Sequence, residues 1–261
     1  MWKYKFHYII VIPALLPLIV IKVIPFIMAI LVSFRDVQPA RGIMESPWIG
    51  WESYLQLWGS MEFANALSNT LVLKLLYIVF SGLLALILSV AISGIRSAKL
   101  RNVLNSVILL PYFVPTIVMA YIALIILSAD HSPIFRLQTI VLYDPTIWRI
   151  TVLALEIIST IGIPVIIATA AIHAHAVTNL ASRITSAVRA ILAFMLLQLS
   201  TLLSFDMELV YILANPPVNE VANTIDLYGF RLGYQFMQMS EASALWMTQF
   251  AIQLVLTIFV Y

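Results

Sequence analysis

Three ionisable residues lie inside apolar stretches of this sequence, and they are its first candidates for function. Lys74 and Glu156 each lie about seven residues from one end of a stretch, whereas Lys22 lies nearer the middle of another. A charge in hydrocarbon costs several kcal/mol, so such residues usually have a partner or face a water-filled route. At about 1.5 Å per residue, Lys74 and Glu156 both lie about 10 Å deep.

This equal depth predicts an ion pair between Lys74 and Glu156. The alternative is that the Lys74 side chain extends to the lipid headgroups while Glu156 meets water in a vestibule. For Lys22 we expect a role in helix packing beside a polar partner.

Uncharged polar side chains form a second candidate site. They are Gln198, Ser200, Thr201 and Ser204 in the fifth stretch, Tyr112 and Tyr121 in the third, and Gln249 and Gln253 in the sixth. At about 100° per residue, the four side chains of the fifth stretch fall within an arc of about 160°. Amide, hydroxyl and aromatic groups suit a route for a neutral polyhydroxylated solute. The alternative for any one of them is contact between membrane helices.

Other chemistries have little support in the residues. His173 and His175 would point about 200° apart on a helix, with no further ligand nearby, so we expect no metal site and assign both to a basic inner edge. The chain has no cysteine, which excludes disulfides and thiolate chemistry. No Walker loop or Ser/His/Asp set is present, so we expect neither catalysis nor an ATP site.

The elements that must position these residues are membrane helices. The chain has 261 residues, of which 62% are hydrophobic and 10% charged, whereas a soluble domain has about 25% charged residues. We predict an all-α polytopic fold forming a single transmembrane domain over residues 1–261, with an interfacial helix outside the membrane after the first span. Pro13, Pro17 and Pro25 predict a kinked first helix, and Pro111 with Pro115 a bent third one. The predicted spans are about 8–34, 67–93, 102–128, 149–172, 187–205 and 242–261.

Charge sets the expected orientation. The short loops on one side contain basic but no acidic residues, and every carboxylate except Glu156 falls on the other side. By the positive-inside rule both termini are cytoplasmic, and the first span is an uncleaved signal anchor. The net charge of +2 is too small and dispersed to indicate nucleic acid, so lipids are the expected surroundings.

Four segments resemble one family, the membrane-spanning permease subunits of ATP-binding-cassette (ABC) importers for sugars, especially the polysaccharide and oligosaccharide branch. The segments are FRDVQPARGIMESPWIGWESYLQL (34–57), NTLVLKLL (69–76), LLPYFVPTIV (109–118) and FDMELVYILANPPVNEVANTIDLYGFRLGYQF (205–236). The resemblance implies a subunit of the bacterial cytoplasmic membrane that binds no cofactor itself. It also implies a second permease as heterodimer partner, an extracytoplasmic solute-binding protein, and a cytoplasmic ATPase dimer that binds ATP and magnesium.

The sequence departs from this family where the ATPase would dock. Residues 172–189 contain no Glu and no Gly and are shorter than the family's Glu-Ala-Ala loop, so we expect this coupling loop to be shortened or lost. The residues expected to face the ATPase are His175, Asn179, Arg183 and Arg189.

The predicted function is therefore import of a sugar or oligosaccharide by alternating access. The alternative is a degenerate permease that serves as a membrane scaffold or regulatory subunit. A stand-alone secondary transporter would need titratable residues near the membrane centre, where only Lys22 qualifies.

Overall fold

A computed structural model describes residues 11, 13, 15–127, 141–174 and 179–260. The described secondary structure is dominated by helices. They are α1 (Leu15–Ser33), α2 (Gly42–Glu45), α3 (Glu52–Gly59), α4 (Met61–Ser93), α5 (Ala98–Leu109), α6 (Thr116–Leu127), α7 (Pro145–Thr160), α8 (Gly162–Ala174), α9 (Leu180–Leu199), α10 (Met207–Leu213), α11 (Asn219–Ala222), α12 (Ile225–Phe230) and α13 (Met239–Val260).

Four of these helices, α1, α4, α9 and α13, are long and apolar enough to cross a membrane. Two further crossings are possible if each bent pair, α5 with α6 and α7 with α8, counts as one span. The predicted all-α polytopic membrane fold is confirmed. A short helix, α3, follows the first span as expected.

The helix boundaries differ most from the predicted spans at the fifth span. Helix α9 begins at Leu180 and ends at Leu199 instead of covering about residues 187–205. Hydropathy identifies residues that favour lipid, whereas helix ends depend on local hydrogen bonds. The Asn179 side chain accepts a hydrogen bond from the Ser182 amide and starts the helix early. Other helices also extend beyond their apolar stretches; α4 begins at Met61 and α13 at Met239.

Proline changes the hydrogen-bonding pattern within α1. Residues Ile19–Val23 form a π-helical turn, in which the Ile24 amide donates to the Ile19 carbonyl. Pro25 follows directly; it has no N–H, and its ring would clash with the carbonyl of Ile21 in a regular α-helix. A wider turn before Pro25 is the local solution to this conflict.

The predicted bend in the third span is confirmed. Residues Leu110–Phe113 form a 3-10 helix after α5, and the two halves of the span meet at an angle of 89°. Val114 has ψ of 123° because the residue before a proline, here Pro115, is disfavoured in the helical conformation.

The chain divides into two compact units. The first consists of the described residues up to Phe63 together with Gly229–Ala251. In it, the segment after α1 folds back so that Arg35 forms an antiparallel bridge with Trp48. The Arg35 guanidinium donates to carbonyl groups of the intervening loop, including Ser46. Phe34 stacks on Trp48 at 5.4 Å.

The second unit consists of Ala64–Tyr228 and the described residues from Ile252 onward. Its helices α4 and α9 pack antiparallel along their length. The contacts that show this are Gly94 with Arg183, Gly82 with Met195, and Lys74 with Gln198. At the middle contact, a Cβ added to Gly82 would lie 2.8 Å from the Met195 Sδ. Glycine at this position therefore allows α9 to approach α4 closely.

Two further close contacts hold the bent helices of the second unit. A Cβ added to Gly162, at the start of α8, would lie 2.8 Å from the Leu109 Cα at the end of α5. On α7, Trp148 is fully buried and its Nε1 donates to the Leu213 carbonyl of α10 at 2.9 Å. These contacts hold α8 against α5 and α7 against α10.

Candidate functional site

Lys74 and Gln198 form the centre of a polar cluster within the second unit. We use the term polar centre for Lys74, Tyr77, Glu156, Thr160 and Gln198. Lys74, on α4, is 8% exposed. Its Nζ donates to the Gln198 Oε1, in the last turn of α9, at 3.2 Å, and lies 5.3 Å from the centroid of the Tyr77 ring. The cation is therefore held by an amide oxygen and an aromatic face.

Tyr77 and Thr160 extend the polar centre to α7. The Tyr77 hydroxyl donates to the Thr160 Oγ1 at 3.0 Å, and Thr160 in turn donates to the Glu156 backbone carbonyl at 2.7 Å. Neither residue was predicted from the sequence. Helical spacing was the available signal, because Tyr77 lies three residues after Lys74 and Thr160 lies four residues after Glu156.

Glu156 takes part in the polar centre through its backbone carbonyl, which accepts from Thr160. The Glu156 Oε2 is buried and has no hydrogen-bond partner. The direct acceptor for Lys74 is Gln198, so an ion pair with Glu156 stays a prediction. The polar centre thus contains a donor-rich cation and an acceptor oxygen, groups that can exchange hydrogen bonds with a polar solute.

An anchor beside the polar centre joins α4 to the segment before the last helix. The Asn69 Nδ2 donates to the carbonyls of Glu220 at 2.7 Å and Asn223 at 3.2 Å. Its Oδ1 accepts from the Arg149 Nη2 at 3.2 Å. Asn69 therefore links three parts of the second unit, and it begins one of the four segments on which the family resemblance rests.

Three further hydrogen bonds fix the same region. The Thr70 Oγ1 accepts from the Ile225 amide at 2.8 Å. The Asp226 Oδ2 accepts from the Phe205 amide at 2.9 Å and from the Ser204 hydroxyl at 3.4 Å. The chain leaving α9 is thereby tied to α12.

The predicted polar face of the fifth span is only partly helical. Ser200 and Thr201 lie beyond the end of α9, where their hydroxyls donate to the carbonyls of Leu197 at 2.7 Å and Gln198 at 3.1 Å. The same two carbonyls also accept from the backbone amides of Ser200 and Thr201, so the chain tightens into turns at the helix end. The arc worked out for a continuous helix through Ser204 was wrong here, although a place for these residues on a solute route stays a prediction.

The other predicted route residues lie in different surroundings. Tyr112 and Tyr121 are about half exposed, at 49% and 52%. On α13, Gln249 is 8% exposed and belongs to the first unit, whereas Gln253 belongs to the second. The Gln253 Nε2 is buried without a hydrogen-bond partner. Of the predicted route residues, Gln198 makes a side-chain hydrogen bond with Lys74.

The residues expected to face an ATPase lie around the start of α9. Asn179 is its N-cap, and Arg183 lies against Gly94 in the turn after α4. Arg189 borders a depression on α9. His175 lies outside the described residues. Among the residues that are described, no group of three or more His, Cys, Asp or Glu could hold a metal ion.

Comparison with known proteins gives consistent results. No protein-family model matches the chain. Two curated proteins of Bacillus subtilis (strain 168) are similar to it. Protein LplB is 25% identical over 88% of this chain and 79% of its own length. The polygalacturonan/rhamnogalacturonan transport system permease protein YteP is 23% identical over 97% of this chain and 85% of its own length.

Two solved structures share the fold. One is the crystal structure of a bacterial alginate ABC transporter in complex with an alginate pentasaccharide-bound periplasmic protein; a chain of it matches with a TM-score of 0.83 and 20% identity, over 99% of this chain and 93% of its own. The other is a bacterial ABC transporter involved in the import of the acidic polysaccharide alginate, with a TM-score of 0.80 and 22% identity, over 99% and 94%. The chain therefore has the all-α, multi-pass membrane fold of ABC importer permeases.

Proposed function

We propose that this chain is a permease subunit of a binding-protein-dependent ABC importer that moves a polysaccharide or oligosaccharide into the cell. The observation that carries the proposal is similarity to the permease YteP along 97% of the chain. The chain is a transport component and not an enzyme. It contributes a solute route, while ATP and magnesium bind to a separate ATPase and no cofactor binds to the chain itself.

The polar centre supports this function because it can exchange hydrogen bonds with a hydroxyl-rich solute. Lys74 and Gln198 offer an ammonium donor and an amide. Alternating access would open the solute route first to one side of the membrane and then to the other. The proposed route also includes Tyr112, Tyr121, Ser200, Thr201, Gln249 and Gln253.

The partners follow from the same proposal. They are a second permease in a heterodimer, a cytoplasmic ABC ATPase dimer and an extracytoplasmic solute-binding protein. The chain would lie in the bacterial cytoplasmic membrane with both termini in the cytoplasm, as its basic loops indicate. The ATPase would contact a shortened loop that includes His175, Asn179, Arg183 and Arg189.

The test is purification of a tagged chain from its native membranes in mild detergent, followed by mass spectrometry and an ATPase assay. We expect to recover a second permease and an ATPase whose activity rises with a solute-loaded binding protein. The variants Gln198→Ala and Thr201→Ala should lower uptake while the amount of purified protein stays unchanged. Unchanged uptake kinetics in both would remove the end of α9 from the route.

A scaffold or regulatory role is the second candidate, because residues 172–189 contain neither Glu nor Gly. It predicts recovery of the chain alone, or with a permease but no ATPase. That result would contradict the importer.

A further inference from the structure

Two neighbouring concave surfaces on α9 differ sharply in chemistry. The first is a depression of about 360 Å³ lined by small and hydroxyl side chains and by one cation; its residues are Ala181, Ser182, Thr185, Ser186 and Arg189. The second is an apolar groove of about 190 Å³ between α4 and α9; its walls include Val79, Leu83, Leu86, Val188, Leu192 and Met195. We refer to them as the depression and the groove.

The helical register brings one edge of the depression next to one edge of the groove. Thr185 in the depression and Leu192 in the groove are seven residues apart, which is about 20° short of two full turns. Arg189 lies three residues before Leu192, a spacing at which side chains are neighbours on a helix surface, so the cation lies beside the groove. A ligand that bound both surfaces would place a polar part in the depression and an apolar part in the groove.

The length of the combined surface matches one leaflet of a bilayer. From Ala181 to Met195, α9 rises about 21 Å at about 1.5 Å per residue. Half of a bilayer, including its headgroups, is about 20–22 Å thick. The polar end lies at the start of a membrane-crossing helix, where headgroups would be, and the apolar end lies deeper.

The charge of the depression fits an anion. A guanidinium forms paired hydrogen bonds with phosphate oxygens, and serine hydroxyls can donate further ones. None of the described residues lining the depression is acidic. Arg183 lies at the same end of α9. Anionic lipids are attracted to basic clusters at the cytoplasmic surface.

The groove suits an extended hydrocarbon chain. It is lined by apolar side chains and one glycine, and it follows α9 from Val188 to Met195, a rise of about 10 Å. An acyl chain lying in it would bury apolar surface and need no polar partner.

We propose that the depression and the groove bind one anionic phospholipid, with its phosphate at Arg189 and one acyl chain between α4 and α9. This assigns Arg189 to lipid instead of to an ATPase. Arg189 lies about 9 Å further along the helix than Arg183, which leaves Asn179 and Arg183 for the ATPase. The site depends on the membrane fold and not on the transported solute.

Native mass spectrometry of the purified chain tests the site, with phosphatidylglycerol and phosphatidylcholine of identical acyl chains as probes. We expect the fraction of protein with bound phosphatidylglycerol to be at least five times the fraction with bound phosphatidylcholine. Arg189→Gln and the groove-filling Leu192→Trp should each reduce its binding at least fivefold, and Arg189→Lys should retain most of it. The matched controls are Arg96→Gln, at an exposed arginine outside the site, and Leu196→Trp, at an exposed leucine one turn further along α9; both should bind as the unchanged chain does.

Two further measurements separate the possible occupants. Glycerol phosphate, which has the headgroup anion without acyl chains, should not displace the lipid at equal concentration; displacement would mean a free-phosphate site and overturn the proposal. A photoreactive residue at position 192 should crosslink to lipid in native membranes, and a crosslink to a protein would identify a partner helix instead. Equal binding of the two lipids, or unchanged binding in folded Arg189→Gln, would also refute the site.

Discussion

The anchor formed by Asn69 allows a quantitative prediction. Asn69→Ala removes three hydrogen bonds, to the carbonyls of Glu220 and Asn223 and from Arg149. Two of these bonds, to Glu220 and Asn223, hold the segment around α11, and each contributes about 1 kcal/mol net, so the variant should lose about 2 kcal/mol of the free energy that holds the segment against α4. Since about 1.4 kcal/mol corresponds to a tenfold change, local opening should become about 30-fold more frequent.

Cysteine labelling can measure this opening because the natural chain has no cysteine. In an Ala222→Cys background, the probe sits at a residue with 0% exposure between the two carbonyl acceptors. In detergent micelles, a thiol reagent should label the Asn69→Ala protein about 30-fold faster, as long as labelling follows reclosable opening. Far-UV circular dichroism should show the same helix content.

The matched control is Asn65→Ala. Asn65 is an exposed asparagine one turn earlier on α4, so its loss should change the labelling rate by less than about twofold, within the small effects usual for surface substitutions. If Asn69→Ala labels within about threefold of Asn65→Ala, the hydrogen bonds of Asn69 do not hold the segment, and the reasoning from buried amide contacts fails.

Two further tests concern the second unit. If Lys74 and Glu156 are coupled, Lys74→Met and Glu156→Gln should each destabilise the protein and the double variant should partly restore it in detergent-unfolding curves; purely additive free energies would reject the coupling. Gly162→Ala should cost about 1–3 kcal/mol because its Cβ would lie 2.8 Å from the Leu109 Cα. Gly59→Ala, with nothing within 4 Å of the added carbon, should leave the unfolding midpoint unchanged or raise it, and equal effects of the two alanines would contradict the packing argument.

Lipid-facing helices were predictable from the sequence because hydropathy reports directly on burial in hydrocarbon. The break before α6 was predictable as well, since Pro115 restricts the residue before it whatever the surroundings. The end of α9 at Leu199 was not predictable, because serine and threonine, here Ser200 and Thr201, occur both in helices and in the turns that end them.

The polar centre was half predictable. The burial of Lys74 in an apolar stretch marked it at once, and helical spacing could have added Tyr77. Its acceptor could not be chosen from sequence alone, since Glu156 and Gln198 lie at comparable depths and a carboxylate is the more obvious partner. The Asn69 contacts escaped prediction for another reason. They end on backbone carbonyls more than 150 positions away, at Glu220 and Asn223. Because every residue has a backbone carbonyl, the sequence does not show which one will accept a hydrogen bond.

The antiparallel contacts of α4 and α9 restrict how this protein can move. Sliding α9 by one helical turn, about 5.4 Å, would separate Lys74 from Gln198 and drive the Met195 side chain off Gly82. The two helices are therefore expected to move together as a rigid body. Any change in access would then require hinge motion at the break before Pro115 and at the bend of 48° between α7 and α8. The flexible points of the second unit would then be the two bent helix pairs, while α4 and α9 would keep their relative position.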